Sequence, residues 1–178
     1  MVMTKAELDQ RFEMMTATVD KVSRQISPLG NKFGLFAEGI ALPSLEKILR
    51  EQFGAEFTAN NVVFRKGGRE LELDSLAFCN GTRNSVVIGE IKTHLDNAAV
   101  DQLLEQLRKF PEFAPEHRGK ELFGILVGVQ VDKPAARRAI KEGLYIAQVS
   151  ADLMKLDVPA GFRPKSFKRS SRTTQSPP

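Results

Sequence analysis

Arg69-Glu70-Leu71-Glu72-Leu73-Asp74-Ser75-Leu76-Ala77-Phe78, the pair Asn80-Gly81, and Val86-Val87-Ile88-Gly89-Glu90-Ile91-Lys92 make up the stretch whose reading decides the fold. The first part alternates apolar and polar residues, as a strand with two unlike faces does. Asn80-Gly81 is a hairpin signal, because both residue types accept a positive φ. The last part is apolar until its end, as a covered strand is. One step upstream, Val62-Val63-Phe64 and the turn pair Gly67-Gly68 supply another strand. The three strands read as an antiparallel meander.

Working outward, Phe33, Phe36, Ile40, Leu45, Ile48, Leu49 and Phe53 recur at helical spacing, with Gly54 as a stop signal. Pro43 lies inside this run and is expected to kink the helix or divide it. On the other side Asp96 caps a helix that buries Val100, Leu103, Leu104 and Leu107 and ends near Phe110-Pro111. Leu122 to Val131 is a continuous apolar run, expected to be a strand covered on both faces. A short helix from Pro134 to Glu142 leads to a last strand, Leu144 to Val149. The order helix, three strands, helix, strand, helix, strand defines an α/β sandwich whose later strands join by crossover connections.

The two ends differ from this body. Leu8, Phe12, Met15, Val19, Val22 and Ile26 follow a 4-3-4-3-4 spacing, an a/d seam of three heptads over residues 1–28. Such a narrow stripe must be buried, either against a second copy or on the body of its own domain. Homodimerisation is the favoured reading. Residues 31–158 form the main domain. In the tail, residues 159–178, Arg163, Lys165, Lys168, Arg169 and Arg172 stand among Ser, Thr and Pro, a composition expected to be disordered. The tail either holds nucleic acid through phosphate contacts or is simply solvated.

The chain has 178 residues and a formal net charge of +4, which suits a polyanionic partner without demanding one. The single cysteine, Cys79, excludes an intramolecular disulfide framework and a zinc site of several thiolates. The absence of a long apolar run and of a signal-peptide core makes a cytoplasmic protein without a membrane partner the default expectation.

The chemistry-bearing residues cluster in the meander. Glu90 and Lys92, two apart on a strand, point to one face of an otherwise apolar segment, where a carboxylate and an ammonium need a reason. On the neighbouring strand, alternation places Asp74 with Glu70 and Glu72, and Leu71 with Leu73 on the opposite face. Pairing through the turn at Asn80-Gly81 sets Asp74 beside Glu90. Two adjacent carboxylates repel unless a cation sits between them or one binds a proton. Oxygen donors of this kind suit Mg2+ or Mn2+.

Leu73-Asp74 followed by Gly89-Glu90-Ile91-Lys92 resembles the D…(D/E)-x-K signature of the PD-(D/E)XK nuclease superfamily. The resemblance covers the middle two-thirds of the chain. It implies a restriction-endonuclease-like αβββαβ core with a mixed sheet flanked by helices, here preceded by the N-terminal heptad helix. Leu73 stands where the superfamily has its proline. Phe33-Gly34-Leu35-Phe36-Ala37-Glu38 is similar to the first-helix segment in which many members carry a further glutamate, which makes Glu38 the matching position. The resemblance implies that Asp74, Glu90 and the main-chain carbonyl of Ile91 hold the divalent ion. Lys92 would orient or activate water, and Glu38 would assist through a water or the lysine. Gln102 and Gln106, one turn apart on the following helix, match a region where some members direct a polar residue at the site. The implied activity is metal-dependent hydrolysis of nucleic acid, DNA in preference to RNA. The alternative is a catalytically silent fold used for nucleic-acid binding or assembly. His94 and His117 read as an exposed strand end and a loop residue, and Cys79 as core.

Overall fold

The computed structural model describes residues 41–82, 84–150 and 153–168. The chain divides into two compact units, Met1–Phe36 and Ala37–Pro178, and every described residue belongs to the second. The heptad seam and Glu38 therefore lie outside the described residues.

Helix α1, residues 41–53, buries Ala41, Leu45, Ile48, Leu49 and Phe53, the helical spacing expected of this run. Pro43 lies in its first described turn, and Phe33, Phe36 and Ile40 of the same run lie outside the described residues. Beyond it run β1 (Phe57–Lys66), β2 (Arg69–Cys79), β3 (Ser85–Leu95), α2 (Asn97–Phe113), β4 (Glu121–Val131), α3 (Lys133–Lys141), β5 (Tyr145–Ser150) and β6 (Leu153–Leu156). The six strands make one mixed sheet in the order β1-β2-β3-β4-β5-β6. The first three pair antiparallel, β3 with β4 and β4 with β5 pair parallel, and β6 returns antiparallel.

Helices cover both faces, and the core accordingly falls into two clusters. On one face α1 packs on Ala77, Val87, Ile91, Ile125 and Val127. On the other, α2 and α3 pack on Val86, Ile88, Leu122, Leu126 and Ile146. This alternation along β3 and β4 is what makes a strand covered on both faces read as a continuous apolar run. The approach of α2 depends on Gly124: a Cβ there would lie 2.8 Å from side-chain carbons of both Leu107 and Leu144.

Four features depart from the sequence reading. Helix α2 continues to Phe113 with Pro111 inside its last turn, where the missing N–H costs a single bond and Arg118 Nε donates to the Pro111 carbonyl at 2.8 Å. The β2–β3 connection places its positive φ on Asn84 (φ 35), whereas Gly67 and Gly68 (φ 58 and 73) do form the turn expected of them. A sixth strand, β6, extends the sheet beyond the one expected last. Residues 159–168, assigned to a disordered tail by composition, instead form a strap. Lys165 N donates to the Gly143 carbonyl (3.0 Å), Phe167 N donates to the Leu122 carbonyl (2.8 Å), and the Phe167 ring packs on the α2 cluster.

The close approach at Gly124 gives a test. Gly124→Val forces Leu103, Leu107 and Leu144 apart and is expected to cost about 1–3 kcal/mol, the usual penalty for overpacking. Thermal unfolding should show a fall of several degrees in Tm. An unchanged Tm would mean that α2 does not depend on that close approach.

Candidate active site

The site lies where β2 and β3 part. Their ladder runs from Cys79↔Ser85 to Ser75↔Gly89. At the next position the side chain of Asp74 replaces the main chain: its Oδ2 accepts the Ile91 N–H at 2.7 Å. A distortion in β1 accompanies this. Asn61 takes φ 52, and the β1–β2 pairing passes from Asn60↔Ser75 to Val62↔Leu73 without the rung between. Leu71 and Leu73 belong to the α2 cluster, and so does Leu76, whereas Ala77 and Cys79 belong to the α1 cluster. Simple alternation, which set Leu71 and Leu73 opposite to Asp74 and hence to Leu76, fails at this distortion. A strand that loses a rung is free to change the phase of its side chains.

Glu90 is the most enclosed charged residue among those described, 1% exposed and on the α2 side of β3. Three donors converge on it. Lys92 Nζ lies 2.7 Å from Oε1, Gln102 Nε2 donates to Oε1 at 2.6 Å, and Gln106 Nε2 donates to Oε2 at 2.7 Å. Gln106 Nε2 also reaches the Glu72 carbonyl at 3.1 Å, which ties α2 to β2 through the same amide. Burial pushes the Glu90 carboxyl above its ordinary value, and the nearby Asp74 carboxylate pushes it further. Hydrogen bonds from Lys92 and Gln106 act in the opposite sense. Lys92 is a third exposed, so its ammonium sits at the boundary between this buried carboxylate and solvent.

The structure thus brings Asp74, Glu90, Lys92, Gln102 and Gln106 together. Gln106 had a legible signal, since it falls on the buried stripe of α2 beside Leu103, Leu107 and Phe110. The Glu72 carbonyl and the Ile91 N–H are main-chain contributions with no side-chain signature. His94 Nε2 sits 3.3 Å from Asp132 Oδ2, at the end of β3. His117 packs its ring on Phe78, with centroids 4.4 Å apart, and Cys79 is buried.

A divalent cation suits this donor set. Asp74 Oδ1 accepts no hydrogen bond among the described residues, and the mutual repulsion of Asp74 and Glu90 is what a cation relieves. Gln106 Oε1, buried and without a hydrogen-bond partner, is one more hard oxygen donor in the cluster. Among the described residues no group of three or more His, Cys, Asp or Glu converges on one point, so a cation here would have two carboxylates plus main-chain or amide oxygen to hold it. Mg2+ and Mn2+ accept such sparse coordination by keeping water.

The architecture is mixed α/β: a six-stranded mixed sheet between helices, with the element order helix, three strands, helix, strand at its core. A family model described as "Domain of unknown function (DUF8196)" matches residues 41–156, and the chain belongs to that family. Among solved structures the chain is similar to a repair endonuclease from Pyrococcus abyssi, with a TM-score of 0.43 and 20% identity over 61% of this chain and 46% of that one. It is similar to EndoMS in a complex with double-stranded DNA (TM-score 0.40, 21% identity, 60% of this chain and 42% of that one). It is also similar to the SPO1766 protein of unknown function from Silicibacter pomeroyi (TM-score 0.43, 11% identity, 76% of each chain). The chain spans less than half the length of the two endonucleases. No curated protein matches it.

The raised pKa of Glu90 sets a pH signature. A carboxyl above its ordinary value of 4.5 contributes stability that is complete below that value and is lost as pH rises through the folded-state pKa. In EDTA, the Tm of the wild type is therefore expected to fall across that window relative to Glu90→Gln. Parallel Tm curves for the two proteins would show that the buried carboxyl is not held high.

Proposed function

We propose that the chain is a metal-dependent nuclease that hydrolyses phosphodiester bonds in DNA. The observation that carries this reading is the Glu90 carboxylate, buried beside Asp74 with the Lys92 ammonium 2.7 Å away. A sheet interior gains nothing in stability from two carboxylates and an ammonium that hydrophobic residues would not supply better. A buried carboxyl whose pKa is raised, gathered with a second carboxylate and an ammonium, supports the reading of a working site.

Asp74 and Glu90 would hold Mg2+ or Mn2+, with the Ile91 carbonyl as a main-chain donor. A bound divalent ion supplies Lewis acidity and lowers the pKa of its water. The rest is done by the chain. The Ile91 N–H fixes the Asp74 carboxylate, and Gln102 and Gln106 fix that of Glu90, so both are oriented before substrate arrives. Lys92, at the solvent boundary, is placed to orient the attacking water and to offset negative charge that grows on the phosphoryl oxygens. Glu38 is assigned a supporting role through a water or through Lys92. Residues 1–28 are assigned to homodimerisation, which would present two sites to two strands. A single-chain mass in solution at micromolar concentration would remove that assignment. A cytoplasmic location belongs to the same reading; no helix among the described residues is long and apolar enough to cross a membrane.

The test is cleavage of labelled single-stranded, duplex and branched DNA with Mg2+ or Mn2+. Wild type is expected to cut, EDTA to stop it, and Lys92→Ala to lose about 10²-fold or more of the rate, as loss of an electrostatic stabiliser does. Lys92→Ala should keep the wild-type Tm within a few degrees. Undiminished cutting by Lys92→Ala would remove this site from the reaction, and a folded wild type that cuts no substrate would remove the nuclease reading.

A further inference from the structure

Beyond the candidate site, the described residues gather positive charge at the tip of the β1–β2 hairpin and along α3, and the two differ in kind. The tip of the β1–β2 hairpin holds Arg65, Lys66 and Arg69, and each is already engaged. Arg65 pairs with Glu70 (2.6 Å), Arg69 with Glu112 (3.4 Å), and Lys66 Nζ donates to the Glu112 carbonyl (2.8 Å). Helix α3 is different. Lys133, Arg137 and Lys141 recur every fourth residue, all three are exposed, and none forms an ion pair among the described residues. Its one engaged cation, Arg138, bonds Asp101 and the Asn97 carbonyl and so fixes the helix against α2.

Every fourth residue of a helix returns to one face, and at 1.5 Å per residue the three cations span about 12 Å. One strand of duplex DNA carries a phosphate about every 3.4 Å of axis, so the row covers roughly three or four of them. The row starts beside the C-terminal end of β3, the strand that carries Glu90 and Lys92. Asp132, the residue before α3, is held by His94, which lies two residues beyond Lys92 on β3. At its other end the strap crosses, where Lys165 N donates to the Gly143 carbonyl and the exposed Lys165 side chain sets its ammonium 5.1 Å from the Phe167 ring centroid.

We propose that the outer face of α3, Lys133, Arg137 and Lys141 continued by Lys165, is a backbone-binding surface for duplex DNA that leads to the candidate site. The choice of DNA over another polyanion rests on the nuclease reading; the surface itself rests on unpaired, evenly spaced charge. Unpaired cations release counterions from a phosphate backbone when they meet it, whereas cations already paired with carboxylates gain little.

Binding separates the two readings. Anisotropy of a fluorescein-labelled 20-base-pair duplex would be followed in EDTA, where no cutting occurs, from 50 to 200 mM KCl. The variant Lys133→Gln/Arg137→Gln/Lys141→Gln is expected to bind at least tenfold more weakly at 100 mM salt. Its log K against log salt slope should be shallower by about 2–3, near 0.9 for each phosphate that the helix no longer neutralises. Arg65→Gln/Lys66→Gln should alter Kd less than twofold. Arg137→Glu alone, at an exposed position, should weaken binding in the same direction if the triple variant fails to fold. Wild-type affinity and slope in these α3 variants, or a wild type that binds no duplex, would overturn the proposal. A wild type that binds through α3 but never cuts would overturn the nuclease reading and leave the surface standing.

Discussion

A carboxylate in the middle of a sheet is the constraint around which this domain is arranged. Glu90 is 1% exposed, and an ionisable group so enclosed is tolerated only when its oxygens are met by donors. Those donors fix the neighbouring elements. Gln102 and Gln106 face Glu90 only if α2 lies along β3 in one rotational setting, and Gln106 reaches the Glu72 carbonyl only if β2 lies under the same helix. Gly124 then lets α2 come close enough for both amides to reach, because any side chain at that position would meet Leu103 and Leu107. Polar specification and apolar packing thus demand the same geometry, which is what gives a sequence one structure.

The parting of β2 from β3 follows from the same requirement. A fully paired ladder would use the Ile91 N–H between main chains. Here the Asp74 side chain takes it instead, and this sets one carboxylate beside another without an intervening rung. Burial raises the Glu90 pKa, and the repulsion that results from this placement raises it further. Asn61, in a left-handed conformation on the next strand, allows β1 to follow the distortion instead of resisting it. Asparagine is among the few residues that adopt this conformation at modest cost.

Much of this was legible where one period governs a segment. The two-residue repeat put Glu90 and Lys92 on one face of β3, and the helical repeat gave α2 and α3 close to their observed extents. It failed where a local event breaks the period. Leu73 and Leu76 share a cluster although three residues apart, because a missing rung changes the phase between them, and no composition rule registers a missing rung. Pro111 reads as a terminator, yet in a last turn it forfeits only one bond. The strap misled for another reason: composition averages over a segment, whereas Phe167 and two main-chain hydrogen bonds suffice to hold one. Gln106 shows the reverse, a polar residue on an apolar stripe, whose purpose became visible only when Glu90 stood opposite. Glu38, matched by resemblance, and the heptad seam, read from spacing, lie outside the described residues.

The hydrogen bonds that shape the cluster join residues no farther apart in sequence than Glu72 and Gln106. A hairpin and the helix after it bring these groups together through short loops, which close quickly and at small entropic expense. The strap that reaches back from Phe167 to Leu122 requires a longer closure, whereas β4 joins β3 over a similar separation and β5 joins β4 over a shorter one. The order of assembly is thereby biased: the chemistry-bearing nucleus is local and early, and the strap is late. Substitutions in the meander and α2 should therefore act mainly on the rate of folding, and those around the strap mainly on the rate of unfolding.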